Sequence, residues 1–262
     1  MNKTKLKTSL FIVSSFLIPA IMMFFIYLSQ GIYWNSDTSP LLGDGYHQYV
    51  IFDTTLRNIL HGTDSLFYSF QSGLGINFYA LSSYYLGSFF SPLVYFFNAQ
   101  SMPDAVYLIT LLKFGAIGLS TYISLHGMFS KIPRSLVLTL STSFALMSFA
   151  ISQIEIKTWL DVFILAPLIL YGFKKLIYNE GEILYFISLT SLFIQNYYFG
   201  FMMSIFLILW YLTQLSWDIK GIGKRFFHFV IISILSVITS LVMLYPTFLD
   251  LRTHGESFSK VD

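Results

Sequence analysis

Long uncharged apolar stretches, separated by short basic clusters, are the feature that most restricts how this chain can fold. Residues 9–29 contain no charged side chain, and a helix that crosses a bilayer needs about 20 mostly apolar residues. Hydrophobic residues make up 55% of the chain and charged residues only 11%, whereas a soluble domain carries about 25% charged residues. The sequence therefore predicts an integral membrane protein.

Four basic clusters predict the orientation of the helices. Basic loops are retained on the cytoplasmic side of a membrane, so each cluster marks cytoplasmic helix ends. The N-terminus is then cytoplasmic, and most acidic residues lie on the extracellular side. The clusters are Lys3, Lys5 and Lys7; Lys131 and Arg134; Lys174 and Lys175; and Lys220, Lys224 and Arg225.

This pattern predicts an all-α fold, a polytopic transmembrane helix bundle of about seven crossings in a single membrane domain over residues 1–262. Residues 1–8 are cytoplasmic, residues 30–104 form a large external loop, and residues 251–262 are external. One crossing precedes that loop, and the others lie within residues 105–250. The predicted crossings are residues 9–29, 105–128, 135–152, 161–177, 183–196, 200–216 and 227–249.

The large external loop is predicted to contain surface helices. Residues 78–97 are rich in aromatic side chains and long enough to cross the membrane. A crossing there would put the later basic clusters on the extracellular side, against the charge rule, so an interfacial or re-entrant element is favoured. Before it, helical spacing predicts an amphipathic helix on the membrane surface, with Asp53 and Arg57 on its polar side. Its apolar residues are Tyr49, Phe52, Leu56, Ile59 and Leu60.

The turn Gly43-Asp44-Gly45, followed by His47 and Gln48, is the first candidate for chemistry. Its glycines allow a tight turn that holds the Asp44 carboxylate near the bilayer face, as a base or metal ligand. Asp is also a common helix N-cap, and both interpretations stay open. The external histidines His47, His61 and His254 show no metal-ligand spacing, so no metal site is predicted.

Lys113 is a lone charge inside a predicted crossing. A lysine in lipid is costly and marks a candidate functional site, here one that could hold a lipid phosphate. Snorkelling to the headgroups or pairing with a carboxylate explains it equally well.

Further candidates lie at the predicted outer helix ends. Trp159 and Asp161 begin the fourth crossing, Asn196, Tyr197 and Tyr198 form a turn between two short crossings, and Arg252 follows the last crossing. These residues could contact a polyhydroxylated or phosphorylated substrate. An interfacial aromatic residue, a helix-start Asp and a solvated loop are the alternative explanations.

Composition excludes cysteine chemistry and argues against nucleic-acid binding. The chain has no cysteine, so it forms no disulfide and no thiolate metal site. No basic stripe occurs outside the predicted cytoplasmic loops, so nucleic acid is not a predicted partner.

Several motifs in this order resemble the bacterial YfhO-like family of multi-pass membrane proteins, which belongs to the C-type glycosyltransferase superfold. The resemblance spans nearly the whole chain. Family members are usually longer, so the chain is expected to be an N-terminal portion, truncated at its C-terminus. The motifs are Gly43-Asp44-Gly45 with Gln48-Tyr49, Gly73-Leu74-Gly75-Ile76-Asn77-Phe78, Leu111-Leu112-Lys113, Trp159-Leu160-Asp161 with Pro167-Leu168, Asn196-Tyr197-Tyr198-Phe199-Gly200 and Tyr245-Pro246-Thr247.

The resemblance implies a membrane glycosyltransferase that moves a sugar from a polyprenyl-phosphate carrier to a teichoic acid, polysaccharide or lipid of the cell envelope, at the extracellular face. Asp44 matches the catalytic carboxylate and would be the general base of an inverting reaction, with Lys113 and Arg252 near the donor phosphate. No cofactor is implied, although a divalent metal is compatible with the reaction. The other candidate substrate-binding residues are Asp161, Trp159, Asn196, Tyr197, Tyr198, His47 and Gln48.

Two other functions remain open at this stage. A transporter or flippase for a lipid-linked sugar would place charges or broken helices at the bilayer midplane, and only Lys113 fits that pattern. A non-catalytic partner in envelope assembly is the other alternative. Neither the sugar nor the acceptor is encoded in a recognisable spacing.

Overall fold

The computed structural model describes residues 3–71, 75–215 and 221–258. Within these ranges the chain forms ten α-helices, and the one β interaction is an isolated bridge between Ser69 and Ile76. The prediction of an all-α fold is confirmed for this part of the chain. The helices are α1 Lys3–Ser29, α2 Val50–Leu60, α3 Phe78–Tyr85, α4 Met102–Met128, α5 Arg134–Ala145, α6 Ser148–Ser152, α7 Lys157–Ile177, α8 Ile183–Gln195, α9 Tyr197–Leu215 and α10 Ile222–Phe258.

Five helical segments of the described chain are long and apolar enough to cross a membrane. They correspond to α1, α4, α5 together with α6, α9 and α10. The apolar helix α8 has only 13 residues, and α7 has charged residues near both of its ends. Each predicted crossing therefore coincides with helix, while the number of crossings stays a prediction.

Helices α1, α4, α7, α8 and α10 pack against one another in this order. Helix α4 packs against α1 on one side and α7 on the other, and α8 and α10 continue the row from α7. We call the end of the bundle at Ser29, Met102, Lys157 and Gln195 the site end. The opposite end contains the start of α10 and the predicted cytoplasmic clusters that follow α4 and end α7.

Close backbone contact joins α1 to α4. A Cβ added at Gly118 would lie 2.3 Å from the carbonyl oxygen of Ser15 and 2.6 Å from Pro19 Cγ. Small residues at helix contacts allow membrane helices to approach closely and gain dispersion energy. Gly118 therefore sets the separation of these two helices.

The segment between α1 and α4 folds onto the site end. Residues 78–97 form α3 and a short 3₁₀ helix, Ser91–Phe96, and not one long helix. Helix α3 packs on α10, where the hydroxyls of Ser83 and Thr247 hydrogen-bond at 2.7 Å and Tyr79 donates to the carbonyl of Val242 at 3.0 Å. This docking joins the intervening segment to the last helix of the described chain.

Helix α2 differs from the predicted surface helix. A π-helical turn, Gly45–Tyr49, leads into it. The expected position of Asp53 on a polar outer side is wrong, because Asp53 is fully buried and its carboxylate pairs with Lys157 of α7. An amphipathic pattern read from one helix cannot reveal a charge that a neighbouring helix neutralises.

The last helix is longer than the predicted crossing. Helix α10 continues through Phe258, beyond residue 249. The interpretation of Arg252 as part of a solvated loop is therefore wrong, although its side chain is exposed.

We expect Gly118→Ala to lower the free energy of unfolding by about 1–3 kcal/mol, because the new methyl group would overpack the α1–α4 contact. Gly223→Ala is the matched control, since no atom lies within 4 Å of its Cβ position. It should change stability by no more than about 1 kcal/mol. Thermal unfolding of the detergent-solubilised chain, followed by tryptophan fluorescence, measures both, and equal melting temperatures would contradict the packing argument.

Candidate functional site

Two buried ion pairs lie side by side at the site end. Lys113 of α4 pairs with Asp161 of α7, with 2.6 Å between Nζ and Oδ2. Lys157 of α7 pairs with both carboxylate oxygens of Asp53 of α2. All four side chains are at least 95% buried. Because a buried charge is stable only when it is paired, these contacts connect α2, α4 and α7.

Lys113 is enclosed by protein groups. It donates to Asp161 Oδ2 and, at 2.8 Å, to the carbonyl of Lys157, while Ser88 donates to Asp161 Oδ1 at 2.7 Å. Lys113 has no exposed surface. The structure therefore shows the carboxylate-pairing alternative, and this arrangement does not present Lys113 to a lipid phosphate.

Tyr49 completes the contact between α2 and α7. Its hydroxyl hydrogen-bonds with that of Thr158 at 3.0 Å, and Lys157 Nζ lies 5.7 Å from the centre of its ring. Burial raises the pKa of Tyr49, so its hydroxyl stays neutral and available for this bond. The π-helical turn that carries Asp44 is thus fixed at its last residue.

Sequence reasoning missed the partners in this network. The amphipathic pattern places Asp53 on the polar side of a surface helix, and no role is predicted for Lys157. A signal was present, because Lys157 and Asp161 are one helical turn apart in an otherwise apolar segment. Two charges at that spacing in a membrane helix indicate partners on other helices.

Asp44 is exposed and stands at the start of the π-helical turn. Its side chain makes no capping hydrogen bond, and instead Oδ1 accepts from Gln48 Nε2 at 3.2 Å. The helix-cap alternative is therefore not the observed arrangement. Gly43 has a φ of +46°, and a Cβ there would lie 2.4 Å from Glu155 Oε2. A second carboxylate thus lies against the same turn.

A cavity of about 370 Å³ opens between α3, the start of α9 and the last part of α10. We call it the tyrosine cavity, because Tyr84, Tyr85 and Tyr197 line it opposite Thr247 and Asp250. Burial, the neighbouring Tyr84 and the Asp44 carboxylate raise the pKa of Tyr85. The Asp44 carboxylate therefore lies within electrostatic range of the Tyr85 hydroxyl, although it does not line the cavity.

A second cavity, of about 260 Å³, lies between the end of α1 and the segment that connects α6 to α7. We call it the α1 cavity. Its lining includes Met23, Ile32, Leu42 and Glu155, and it is mainly apolar. Leu42 and Glu155 both adjoin the Gly43 turn. The α1 cavity therefore adjoins the turn that carries Asp44 through these two residues.

Three other predicted site residues lie at or near the tyrosine cavity. Tyr197 lines the tyrosine cavity, and exposed Arg252 follows Leu251, which also lines it. Asn196 is buried and its side-chain oxygen accepts from the amide of Phe199, at the start of α9. These three residues lie at or next to the site.

Three others have different surroundings. Trp159 packs between the rings of Phe149 and Phe199, and half-exposed Tyr198 contacts Phe199. His47 is exposed beside the ring of Tyr46. None of them is part of the tyrosine cavity lining.

No group of three or more His, Asp or Glu side chains in the described ranges is arranged to hold a metal ion. The side chain of His254 and the motif residues Gly73 and Leu74 lie outside the described part of the chain. The basic-cluster residue Lys220 also lies outside it, as do the side chains of Lys3, Lys5 and Lys224.

Comparison with known proteins gives one match. A family model described as "Bacterial membrane protein YfhO" matches residues 14–262. No curated protein and no solved structure matches the chain. The match covers nearly the whole sequence, including every motif described above.

We expect Asp53→Asn to lower the free energy of unfolding by about 3–5 kcal/mol, because it leaves Lys157 charged and unpaired in the interior. The double variant Asp53→Leu, Lys157→Met removes both charges and should recover most of that loss. Thermal melting of the three proteins in one detergent measures the effect. If Asp53→Asn and the unchanged protein had the same melting temperature, the ion pair would not contribute this stability.

Proposed function

We propose that this chain, which belongs to the YfhO family of bacterial membrane proteins, transfers a sugar from a polyprenyl-phosphate carrier to a cell-envelope acceptor. The observation that carries the proposal is Asp44, an exposed carboxylate that acts electrostatically on Tyr85 of the tyrosine cavity and belongs to a turn beside Leu42 and Glu155 of the α1 cavity. A base between a donor site and an acceptor site is what glycosyl transfer needs.

The tyrosine cavity is the proposed site for the donor sugar. Tyrosine rings supply apolar faces for sugar C–H groups, and their hydroxyls can bond to sugar hydroxyls. Asp250 and Thr247 add polar groups on the opposite wall. The cavity volume of about 370 Å³ lies within the range of small-ligand sites, about 300–1,000 Å³.

The carrier phosphate would lie at the α10 side of this cavity. Arg252 is an exposed cation next to the cavity residue Leu251 and can bind two phosphate oxygens. The apolar polyprenyl chain would then extend along the exposed apolar side chains of α10, which include Val242 and Phe248. Lys113 has a positioning role in this proposal, through Asp161 and Ser88.

The proposed reaction is a single displacement. Asp44 removes the proton of an acceptor hydroxyl as its oxygen forms a bond to the anomeric carbon. The bond from that carbon to the phosphate oxygen breaks on the opposite side, and the electron pair leaves with polyprenyl phosphate, which Arg252 stabilises. Gln48 holds the Asp44 carboxylate in place at 3.2 Å. No cofactor is required, and a divalent metal is compatible.

The acceptor is proposed to approach Asp44 from the side of the α1 cavity. A teichoic acid, a polysaccharide or a lipid could each supply the hydroxyl, and the apolar lining of that cavity favours an acceptor that carries a lipid anchor. The basic residues Lys131, Lys174 and Lys175 belong to the opposite end. The charge rule therefore supports the proposal that the site lies on the extracellular face and the N-terminus in the cytoplasm.

The transport alternative predicts buried charges near the middle of the bilayer. Lys157 and Asp161 instead belong to the first turns of α7, close to the site end, and each has a protein partner. This location favours a role in building the site over a role in carrying a substrate across. Loss of sugar transfer in Asp44→Asn, with unchanged insertion of the chain into the membrane, would favour the transferase over the transporter.

We expect Asp44→Asn to reduce transfer by about a hundredfold or more, because general-base catalysis contributes on that order. The matched control is Asp64→Asn, which changes another exposed carboxylate of the same segment, bonded to Asn58. The assay follows labelled sugar from a panel of polyprenyl-phosphate sugars to envelope acceptors, in membranes with equal amounts of each protein. Equal activity of Asp44→Asn and the unchanged chain would refute the base assignment.

Product stereochemistry gives an independent test. We expect the transferred sugar to have the opposite anomeric configuration to the donor, because one displacement inverts the reacting carbon. Proton NMR coupling constants of the isolated product measure it. A retained configuration would exclude the single displacement.

A further inference from the structure

An apolar slot of about 250 Å³ opens between α9 and α10 in the half of the bundle away from the tyrosine cavity. Its walls include Phe226, Phe229 and Val230. Ile208 and Ile234, at its edges, are about half exposed, at 49% and 52%. In a membrane protein an opening between two lipid-facing helices is accessible from the hydrocarbon layer.

The polar side chains of this slot are bonded to protein groups. Tyr185 and Ser233 share a hydrogen bond of 2.8 Å between their hydroxyls, and Ser204 donates to the carbonyl of Gly200 at 2.9 Å. The slot therefore presents hydrocarbon surface to an occupant. A flexible apolar chain fits such a surface better than a polar ligand does.

A polar pocket of about 200 Å³ adjoins the start of α10. Arg225 lines it and donates through Nη1 to the carbonyl of Ile177, which leaves further guanidinium N–H groups for an anion. His228 Nε2 lies 3.9 Å from Glu182 Oε2, and both side chains are 47% exposed. The pocket thus combines a permanent cation with a carboxylate that accepts hydrogen bonds.

The polar pocket and the apolar slot are both lined by the starts of α8 and α10, with Glu182 and Arg225 in the pocket and Tyr185 and Phe226 in the slot. Arg225 and His228 alternate along its first turns with Phe226 and Phe229, so the helix presents the two sets on neighbouring faces. Tyr211 of α9 stacks on Phe229, with 5.2 Å between ring centres and 11° between planes. Tyr211 also interacts electrostatically with Arg225. One ligand can therefore reach both.

We propose that this combined site holds one anionic phospholipid with a hydroxyl-bearing headgroup, its phosphate on Arg225 and one acyl chain in the slot. Charge complementarity supports this occupant, because Lys131, Lys174 and Lys175 belong to the same end of the bundle. Glu182 then accepts a hydrogen bond from a headgroup hydroxyl. Phosphatidylglycerol has this chemistry.

The bound lipid would stabilise the pairing of α9 with α10. The slot separates these helices, and Arg225 already joins α10 to the end of α7 through Ile177. A phospholipid that bridges Arg225 and the slot would hold α7, α9 and α10 in one arrangement. This role does not depend on glycosyl transfer.

The test is thermal melting of the purified chain in detergent, titrated with dioleoylphosphatidylglycerol or with dioleoylphosphatidylcholine, which has the same acyl chains. We expect a saturating rise in melting temperature with the first lipid and a much smaller rise with the second. Arg225→Gln should weaken the apparent affinity about tenfold, the loss of roughly one charge-assisted hydrogen bond. Arg134→Gln is the matched control at the same end, and should leave the titration unchanged.

A second variant tests the slot. Val230→Phe fills it and should also weaken the response to dioleoylphosphatidylglycerol, while water-soluble glycerol 3-phosphate should not stabilise the unchanged chain. Native mass spectrometry counts the lipid that remains bound. Equal responses to the two lipids, equal effects of Arg225→Gln and Arg134→Gln, or an unchanged response of Val230→Phe would overturn the proposal. If Arg225→Gln does not fold, Val230→Phe and the lipid comparison decide it.

Discussion

A charge in the apolar interior of a membrane protein needs an opposite charge beside it, and this requirement organises the site end of the bundle. Lys157 and Asp161 belong to the first turns of α7, and each is paired with a residue on another element, Asp53 on α2 and Lys113 on α4. An apolar contact would tolerate small displacements of α2. The ion pair between Asp53 and Lys157 does not, because a displacement of α2 exposes an unpaired charge to a low-dielectric surrounding.

The candidate site depends on this anchoring. The π-helical turn that carries Asp44 ends at Tyr49, whose hydroxyl bonds to Thr158 beside Lys157. The buried ion pair of Asp53 therefore holds the segment between α1 and α4. Asp44 and Arg252 are exposed, and the proposed function assigns them to the substrate. The opposite end shows a different use of charge, where Arg225 lies next to an apolar slot and suits a lipid headgroup.

Much of this fold could be predicted from the sequence, because hydrophobic length and basic clusters follow from the physics of the bilayer. The residues predicted to cross form helices, and the family resemblance based on motifs such as Gly43-Asp44-Gly45 is confirmed. The burial of Asp53 could not be predicted, because the amphipathic spacing of α2 contains no information about Lys157 on the neighbouring helix α7. Lys113 stands out in the sequence as a lone charge in an apolar segment, but its pairing with Asp161 depends on the packing of α4 against α7. The two cavities arise from residues far apart in the chain, Tyr84 and Tyr197 among them, and no local spacing encodes them.

The most direct test of the central claim is a cross-link between α3 and α10. The hydroxyls of Ser83 and Thr247 are 2.7 Å apart, and the chain has no cysteine of its own, so Ser83→Cys with Thr247→Cys gives an unambiguous signal. Oxidation in native membranes, followed by mass spectrometry of the linked peptides, measures how firmly the segment is docked. The account predicts rapid disulfide formation in this double variant and much slower formation when Lys157→Met is added. Equal rates in the two proteins would contradict the claim that the ion pairs hold the site together.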